Sequence, residues 1–221
     1  MRPGTGGILG RMMAFAGGFV CLAGCAPPPV PGECPEGMAL VPAGVFRFGS
    51  RRVRGFQNKE NIATYCIDRY EFPNAAGAVP ETGVTWVEAA SKCRGLGKRL
   101  CTEYEWEKAC RGRKGLSFPW GNEFDPAVCA PGAADGQHRS GARPWCVSPY
   151  GVYDMAGSVW EWTANAFDGD QSARVVRGGW DETLAPEDRW LSARCSYRLS
   201  ADPARGEPRT GFRCCAPPRG E

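Results

Sequence analysis

The chain has 221 residues, with 27 Lys+Arg against 24 Asp+Glu, a formal charge of +3 and a single histidine. That length fits one domain of ordinary size or two small ones, and so balanced a charge gives no electrostatic reason to expect nucleic acid as a partner. One imidazole, His138, excludes three-histidine zinc sites, facial-triad iron sites and most mononuclear copper sites; it lies in the loop-like GAADGQHRSGA and is assigned no catalytic role.

Residues 1–24 carry Arg2 and Arg11, no acidic residue, and the apolar run Met12–Gly24. The run is too short to span a bilayer as a helix and has the form of an export signal. It ends in Leu22-Ala23-Gly24-Cys25, which resembles a bacterial lipobox. Residues 1–24 are therefore expected to be a lipoprotein signal peptide, with Cys25 lipidated as the new N-terminus. Cleavage there leaves 197 residues with a charge of +1. Residues 25–33 hold the lipidated cysteine and a stiff, Pro-rich stalk (APPPVPG, Ala26–Gly32). Residues 34–218 contain no repeat and no second linker, so they read as one domain. The expected location is the bacterial cell envelope, outside the cytoplasm. Ala26 after the lipid cysteine favours the outer membrane.

Short strand-like pieces occur at Ala39–Val41, Val45–Phe48, Tyr65–Tyr70, Arg174–Arg177, Leu191–Ser196 and Gly211–Cys215. Two helices are signalled by capping boxes, in which a threonine caps the first turn and a glutamate three residues on returns to the cap. The first is Thr85-Trp86-Val87-Glu88, followed by Trp86, Ala89, Ala90 and Cys93 at helical spacing and stopped by Gly95 and Gly97. The second is Thr102-Glu103-Tyr104-Glu105, with Trp106, Ala109 and Cys110 on its inner face and Lys108, Arg111 and Gly112 suited to its end. The pattern is α+β: two helices on a small, irregular antiparallel sheet, with long loops.

Of the 12 cysteines, Cys21 leaves with the signal and Cys25 takes the lipid. The even remainder implies a disulfide framework in an exported chain. No Cys-x-x-Cys is present, which argues against structural zinc. Cys93 and Cys110 fall on the buried helix stripes, where a bridge to a strand is natural. Cys214 and Cys215 are neighbours, so on a strand they face opposite sides and need different partners.

Ordered motifs then cover nearly the whole mature chain. They are Met38–Ser50 (MALVPAGVFRFGS), Ile67–Asn74 (IDRYEFPN), Val84–Trp86 (VTW) and Gly97–Glu107 (GKRLCTEYEWE). Phe118–Asn122 (FPWGN), Tyr150–Trp162 (YGVYDMAGSVWEW), Val176–Gly179 (VRGG) and Gly211–Cys214 (GFRC) follow. Together they resemble the formylglycine-generating enzyme, or sulfatase-modifying factor, family, whose fold is a variant of the C-type lectin fold. The resemblance implies bridges Cys93–Cys214 and Cys110–Cys195. The other six cysteines stay open, with Cys34–Cys66, Cys129–Cys146 and Cys101–Cys215 preferred on sequence order and strand direction. It also implies a calcium site, with carboxylates from Asp154 and Glu161 and backbone carbonyls from Gly157 and Val159. Hard oxygen ligands from a turning loop suit that ion; the competing reading is a structural loop whose acids meet water or arginine. The family's other calcium site has no matching pattern here.

The resemblance fails at the catalytic centre. The family's oxidase binds copper(I) through two cysteines shortly after the Gly-Gly, and copper(I) requires soft thiolates. No cysteine lies between Gly179 and Cys195, and Cys195 matches a structural position. Copper is therefore not expected. Neither is iron, which other branches of the superfamily bind through several histidines. In place of the copper pair stands Trp180–Trp190 (WDETLAPEDRW), in the region that forms the family's substrate groove. Trp180, Asp181, Glu182, Asp188 and Trp190, with Glu187 and the outlying Glu161, are candidates for ligand binding rather than acid/base work. The expectation is a lipid-anchored binding or scaffold module without catalysis, recognising a protein or glycan ligand. The alternatives are a divergent formylglycine-generating or other redox enzyme acting on protein cysteine, and a calcium-dependent carbohydrate-binding module.

Overall fold

The computed structural model describes residues 1, 32–49, 58–129 and 139–220. The expected signal peptide, Cys25, the stalk before Gly32 and His138 lie outside the described residues. In chain order, β1 (Met38–Val41), β2 (Gly44–Phe48), β3 (Asn58–Ile62) and β4 (Tyr65–Asp68) precede α1 (Trp86–Gly95). Then come β5 (Arg99–Leu100), α2 (Glu103–Arg111), α3 (Pro126–Cys129), β6 (Trp160–Phe167) and β7 (Asp170–Arg177). The chain finishes with β8 (Leu199–Ala201), β9 (Thr210–Phe212) and β10 (Cys214–Ala216).

The two expected helices, α1 and α2, start at their capping boxes; the short α3 was not signalled. Glu88 N–H donates to Thr85 Oγ1 at 3.3 Å while Thr85 N–H donates back to the Glu88 carboxylate at 2.8 Å. Thr102 and Glu105 repeat the exchange at 3.2 and 2.8 Å. Each cap satisfies N–H groups that the first helical turn cannot. Ala89, Ala90 and Cys93 of α1 and Trp106, Ala109 and Cys110 of α2 are buried, as their spacing requires.

Two four-stranded sheets, in the orders β1-β4-β10-β5 and β8-β7-β6-β9, carry the helices, and β2–β3 forms a separate hairpin. In the second sheet β6 and β9 are parallel. Only Arg213 separates β9 from β10, so one chain run links the two sheets. The arginine side chain is fully buried between them. A buried ion network fixes α2 against β7 and its neighbours: Arg177 meets Glu103 at 2.8 Å and Glu107 at 3.1 Å, and Arg198 meets Glu103 at 3.0 Å.

The ten cysteines of the described residues form five disulfides: Cys34–Cys66, Cys93–Cys214, Cys101–Cys215, Cys110–Cys195 and Cys129–Cys146. Cys214 and Cys215 do point to opposite faces and take different partners. Each bridge reduces the freedom of the unfolded chain, by an amount that grows with the loop it closes.

One expected strand is absent. Leu191–Ser196 is not extended: Arg189–Leu191 is a turn of 3-10 helix and turns follow, the strand beginning only at Leu199. Cys195 is held there by its N–H to Ser117 O at 2.9 Å and its bridge to α2. The run Gly211–Cys215 is two strands broken at Arg213, and β4 ends at Asp68 instead of Tyr70.

Candidate functional site

The candidate site begins where β7 ends. Gly178 has φ +85°, a left-handed conformation that favours glycine, and a Cβ added there would meet the Trp106 indole at 2.8 Å. A Cβ on Gly179 would stand 2.3 Å from the Trp160 ring. Both positions therefore need glycine, because the backbone lies flat against two indoles.

The loop that follows splits its expected groove residues into two sets. Trp180 and Trp190 are brought together: their ring centroids lie 6.4 and 6.3 Å from that of Phe124, and both are half-buried. Phe118, Trp120 and the Cys129–Cys146 bridge complete this small cluster, and the Arg194 guanidinium sits 4.8 Å over Trp190. Glu182, Glu187 and Asp188 stay exposed, Glu182 paired with Arg209 at 2.6 Å.

Asp181 departs from the expected groove. It is 5% exposed; its Oδ1 accepts from Thr183 N–H and Oγ1, and its Oδ2 accepts from the Tyr197 hydroxyl at 2.7 Å. Burial pushes this carboxyl up, but the bonds from Thr183 and Tyr197 prevail and hold it below the ordinary aspartate value. Its work is to fold the loop back on Ser192, whose Oγ accepts the Asp181 N–H at 3.0 Å. Glu161 is likewise no part of the loop surface: it is fully buried in the core. Phe124, Tyr197 and Arg209 escaped the sequence reading. Their aromatic or basic character was visible, but not their contacts across the fold.

The loop Asp154–Glu161 is bent by two left-handed residues, Asp154 (φ 59°) and Gly157 (φ 76°). Asp154 Oδ2 accepts the Gly141 N–H at 2.6 Å. Glu161 accepts from Trp106 Nε1 at 2.8 Å, from Arg213 Nε at 2.6 Å and from Arg213 Nη2 at 2.7 Å. Burial pushes the Glu161 carboxyl up against the pull of Arg213. Burial works equally against the guanidinium charge, but Glu161 outweighs it and keeps Arg213 protonated. Thus one acid of the expected calcium pair does meet an arginine.

The remaining oxygens are of the hard type that calcium takes. Among the described residues no donor reaches the carbonyls of Gly157 or Val159, and Gly157 is buried. A carbonyl of that kind can accept from water or ligate an ion. Glu161 Oε1 accepts one bond and keeps a lone pair. No group of three or more His, Cys, Asp or Glu side chains converges among the described residues, so a metal here depends on those backbone oxygens.

Residues 74–217 match the family model of the sulfatase-modifying factor enzyme 1-like domain.

The chain belongs to that family.

Among its relatives, the inactive C-alpha-formylglycine-generating enzyme 2 of Bos taurus is 39% identical over 153 residues, covering 62% of this chain and 50% of that protein. The formylglycine-generating enzyme of Thermomonospora curvata is 32% identical over 181 residues, covering 63% and 56%. The chain thus spans about half the length of the curated relatives it matches. PvdO from Pseudomonas aeruginosa superposes with a TM-score of 0.64 at 20% identity, covering 85% of this chain and 99% of that one. Variable protein 1 of Treponema denticola also gives 0.64, at 19% identity, covering 82% and 95%. The fold is the irregular, disulfide-rich α+β variant of the C-type lectin fold expected from the sequence.

In this sulfatase-modifying-factor domain, the segment after the paired glycines carries tryptophans, acids and a tyrosine-bonded aspartate, and no sulfur before Cys195. Cys195 is bridged to Cys110, and every other cysteine of the described residues is bridged as well. A disulfide sulfur is neither a nucleophile nor a thiolate ligand. Among the described residues no thiol pair remains for copper(I).

Proposed function

We propose that this protein is a non-oxidase member of the sulfatase-modifying-factor family, held outside the cytoplasm by lipid on Cys25 and acting as a binding or scaffold module. The observation that carries the reading is the state of its sulfur: all ten cysteines of the described residues are locked in bridges, and no cysteine lies between Gly179 and Cys195 in the sequence. Stable disulfides at this density suit an oxidising, extracytoplasmic compartment. Relatives named as inactive formylglycine-generating enzymes support the absence of oxidase chemistry, and the half-exposed Trp180 and Trp190 supply a surface for recognition.

Calcium belongs to this reading as a structural ion. Asp154 and Glu161 with the carbonyls of Gly157 and Val159 would hold it, and its positive charge would cross-link a loop that leads directly into β6. The protein's own groups orient that loop without it: Arg213 and Trp106 fix Glu161, and the Gly141 N–H fixes Asp154.

The test is incubation of the purified mature protein with copper and a sulfatase-motif peptide, read by peptide mass. The cysteine is expected to stay unmodified. Its conversion to formylglycine would favour the divergent oxidase and refute the proposal. Replacing Cys25 by Ser is expected to release the protein from membranes, and unchanged fractionation would count against the anchor.

A further inference from the structure

We propose that the outer side of the strand ribbon built from β1–β4 and β2–β3 is a membrane-contact surface, laid on the anionic headgroups of the bilayer that holds the lipid on Cys25. The inference rests on the lipid-anchor reading above and adds to it a second contact, made by the folded domain itself.

Strand register builds the surface. The pairs from Met38–Asp68 to Val41–Tyr65 and from Gly44–Ile62 to Phe48–Asn58 follow one unbroken register, so β2–β3 prolongs β1–β4 as one antiparallel ribbon. Its inner side packs on α2: Val41 and Tyr65 join Trp106 and Ala109 in the core, and the Phe48 ring lies 4.4 Å from that of Tyr104. Val41 and Phe46 are both buried although five residues apart, so the ribbon turns over between them, around Pro42 and Gly44 (φ 144°). The side away from α2 then carries Leu40, Val45, Arg47 and Lys59, all exposed, Leu40 by 44% and Val45 by 70%.

The anchor leaves from the same side. Leu40 stands directly opposite Cys66, so their side chains share a face, and Cys66 is bridged there to Cys34. From Gly32, tied by its N–H to Arg219 O at 2.8 Å, seven residues lead back to Cys25, a reach of at most about 25 Å. Leu40 to Arg47 is about 23 Å of strand, so the leash lets the whole ribbon lie on the bilayer. A weak surface suffices at the end of so short a tether, because the tether supplies a high local concentration.

Reach alone selects no side of the domain; charge does. Arg47 stands opposite Lys59, and Arg111 at the end of α2 donates to Gly49 O at 3.0 Å, which brings the exposed Arg113 and Lys114 to the same end of the ribbon. Among the described residues the exposed acid of this hairpin is Glu60, on the Phe46 side. Near the bridge, Arg219 offsets part of the charge of Glu33 and Glu36. The Trp180–Trp190 loop has the opposite sign, with Glu182, Glu187 and Asp188 exposed. An anionic leaflet favours each lysine or arginine close to it by roughly fivefold in partitioning, and Leu40 and Val45 add apolar surface suited to the headgroup boundary.

The test puts an environment-sensitive fluorescent amino acid at exposed Asn61, opposite Val45, in the mature chain coupled through the Cys25 thiol to a maleimide lipid. The vesicles are phosphatidylcholine alone or with roughly one-third phosphatidylglycerol, and both carry a quencher at headgroup level. Quenching at position 61 is expected to be about threefold or more stronger with phosphatidylglycerol, and to fall to the phosphatidylcholine level in Arg47→Glu with Lys59→Glu. Val45→Asp, which keeps both cations, is expected to weaken it as well. Equal quenching in the two lipids, or quenching indifferent to the charge reversal, would overturn the proposal. So would a probe at position 61 already shielded without vesicles, since a segment of the chain itself or a second copy would then cover the surface. The coupling fixes the anchor chemically, so these outcomes leave the anchor reading standing. Mass measurement of Cys25 in the natively produced chain tests that reading separately, and an unmodified cysteine would overturn it together with the membrane setting.

Discussion

Replacing Arg213 by Met probes the centre of the fold. The guanidinium makes two bonds to Glu161, at 2.6 and 2.7 Å, one to Tyr153 O at 3.0 Å, and two of 3.3 Å to the carbonyls of Asp68 and Arg69. Both charged partners are fully buried. The methionine fills much of the volume but leaves the buried Glu161 carboxylate with Trp106 as its one remaining side-chain donor among the described residues. It also takes a donor from the carbonyls of Tyr153 and Asp68, while Arg69 O keeps the Tyr153 N–H. Breaking one side of such a pair costs about 3–5 kcal/mol. At roughly 2–4 °C per kcal/mol for a chain of this size, the melting temperature is expected to fall by about 6–20 °C. Thermal unfolding followed by circular dichroism under oxidising conditions gives the number. The double variant Glu161→Gln with Arg213→Met is expected to regain part of the loss, because the uncompensated charge is gone. A fall of less than about 2 °C, or a double variant as unstable as the single one, would refute the claim that this pair governs the core.

Three further outcomes follow from the site. Gly179→Ala forces a methyl group to 2.3 Å from the Trp160 ring and is expected to destabilise by about 1–3 kcal/mol in denaturant titration. A neutral result would show that the loop moves freely. Chelation of calcium is expected to lower the melting temperature of the wild-type protein but not that of Asp154→Ala; equal shifts would exclude the proposed ion. Asp181 is held below its ordinary value in the folded state. Its stabilisation is therefore present above roughly pH 4 and lost as pH falls through the lower folded-state value. Asp181→Asn is expected to flatten stability against pH in that window, and an unchanged acid limb would refute the assignment.

The legible parts of the sequence were those where local chemistry decides. Thr85 and Thr102 announced α1 and α2 because a capping box satisfies its N–H groups within four residues. Cys93 and Cys110 announced inward-facing sulfur because helical spacing put them beside Ala89 and Trp106. The neighbours Cys214 and Cys215 announced separate partners from the alternation of a strand. By contrast, β6 (WEWTANAF) was missed because it lies between β7 and β9 and is buried on most positions at its start, which removes the alternation that marks a strand. Among the described residues the polar β3 (NKENI) pairs only with β2, and its sequence carries no alternating apolar face.

The candidate site was legible only in part, for a related reason. The motif order located the loop, and the absence of cysteine after Gly179 was plain. What the acids do was not. Asp181 and Asp188 look alike in sequence, yet one folds inward onto Thr183 and Tyr197 while the other stays in water. The two tryptophans find each other through Phe124, which lies just beyond the FPWGN motif and far from the loop in sequence. Glu161 was expected as a metal ligand, and its main partner is Arg213, at the far end of the domain in sequence.

The most direct measurement is a thiol count on the natively produced, lipidated protein under denaturing, non-reducing conditions, paired with copper(I) titration of the folded form. Here the expected values are no reactive thiol and no tight copper(I) binding. Two or more reactive thiols together with tightly bound copper would contradict the account.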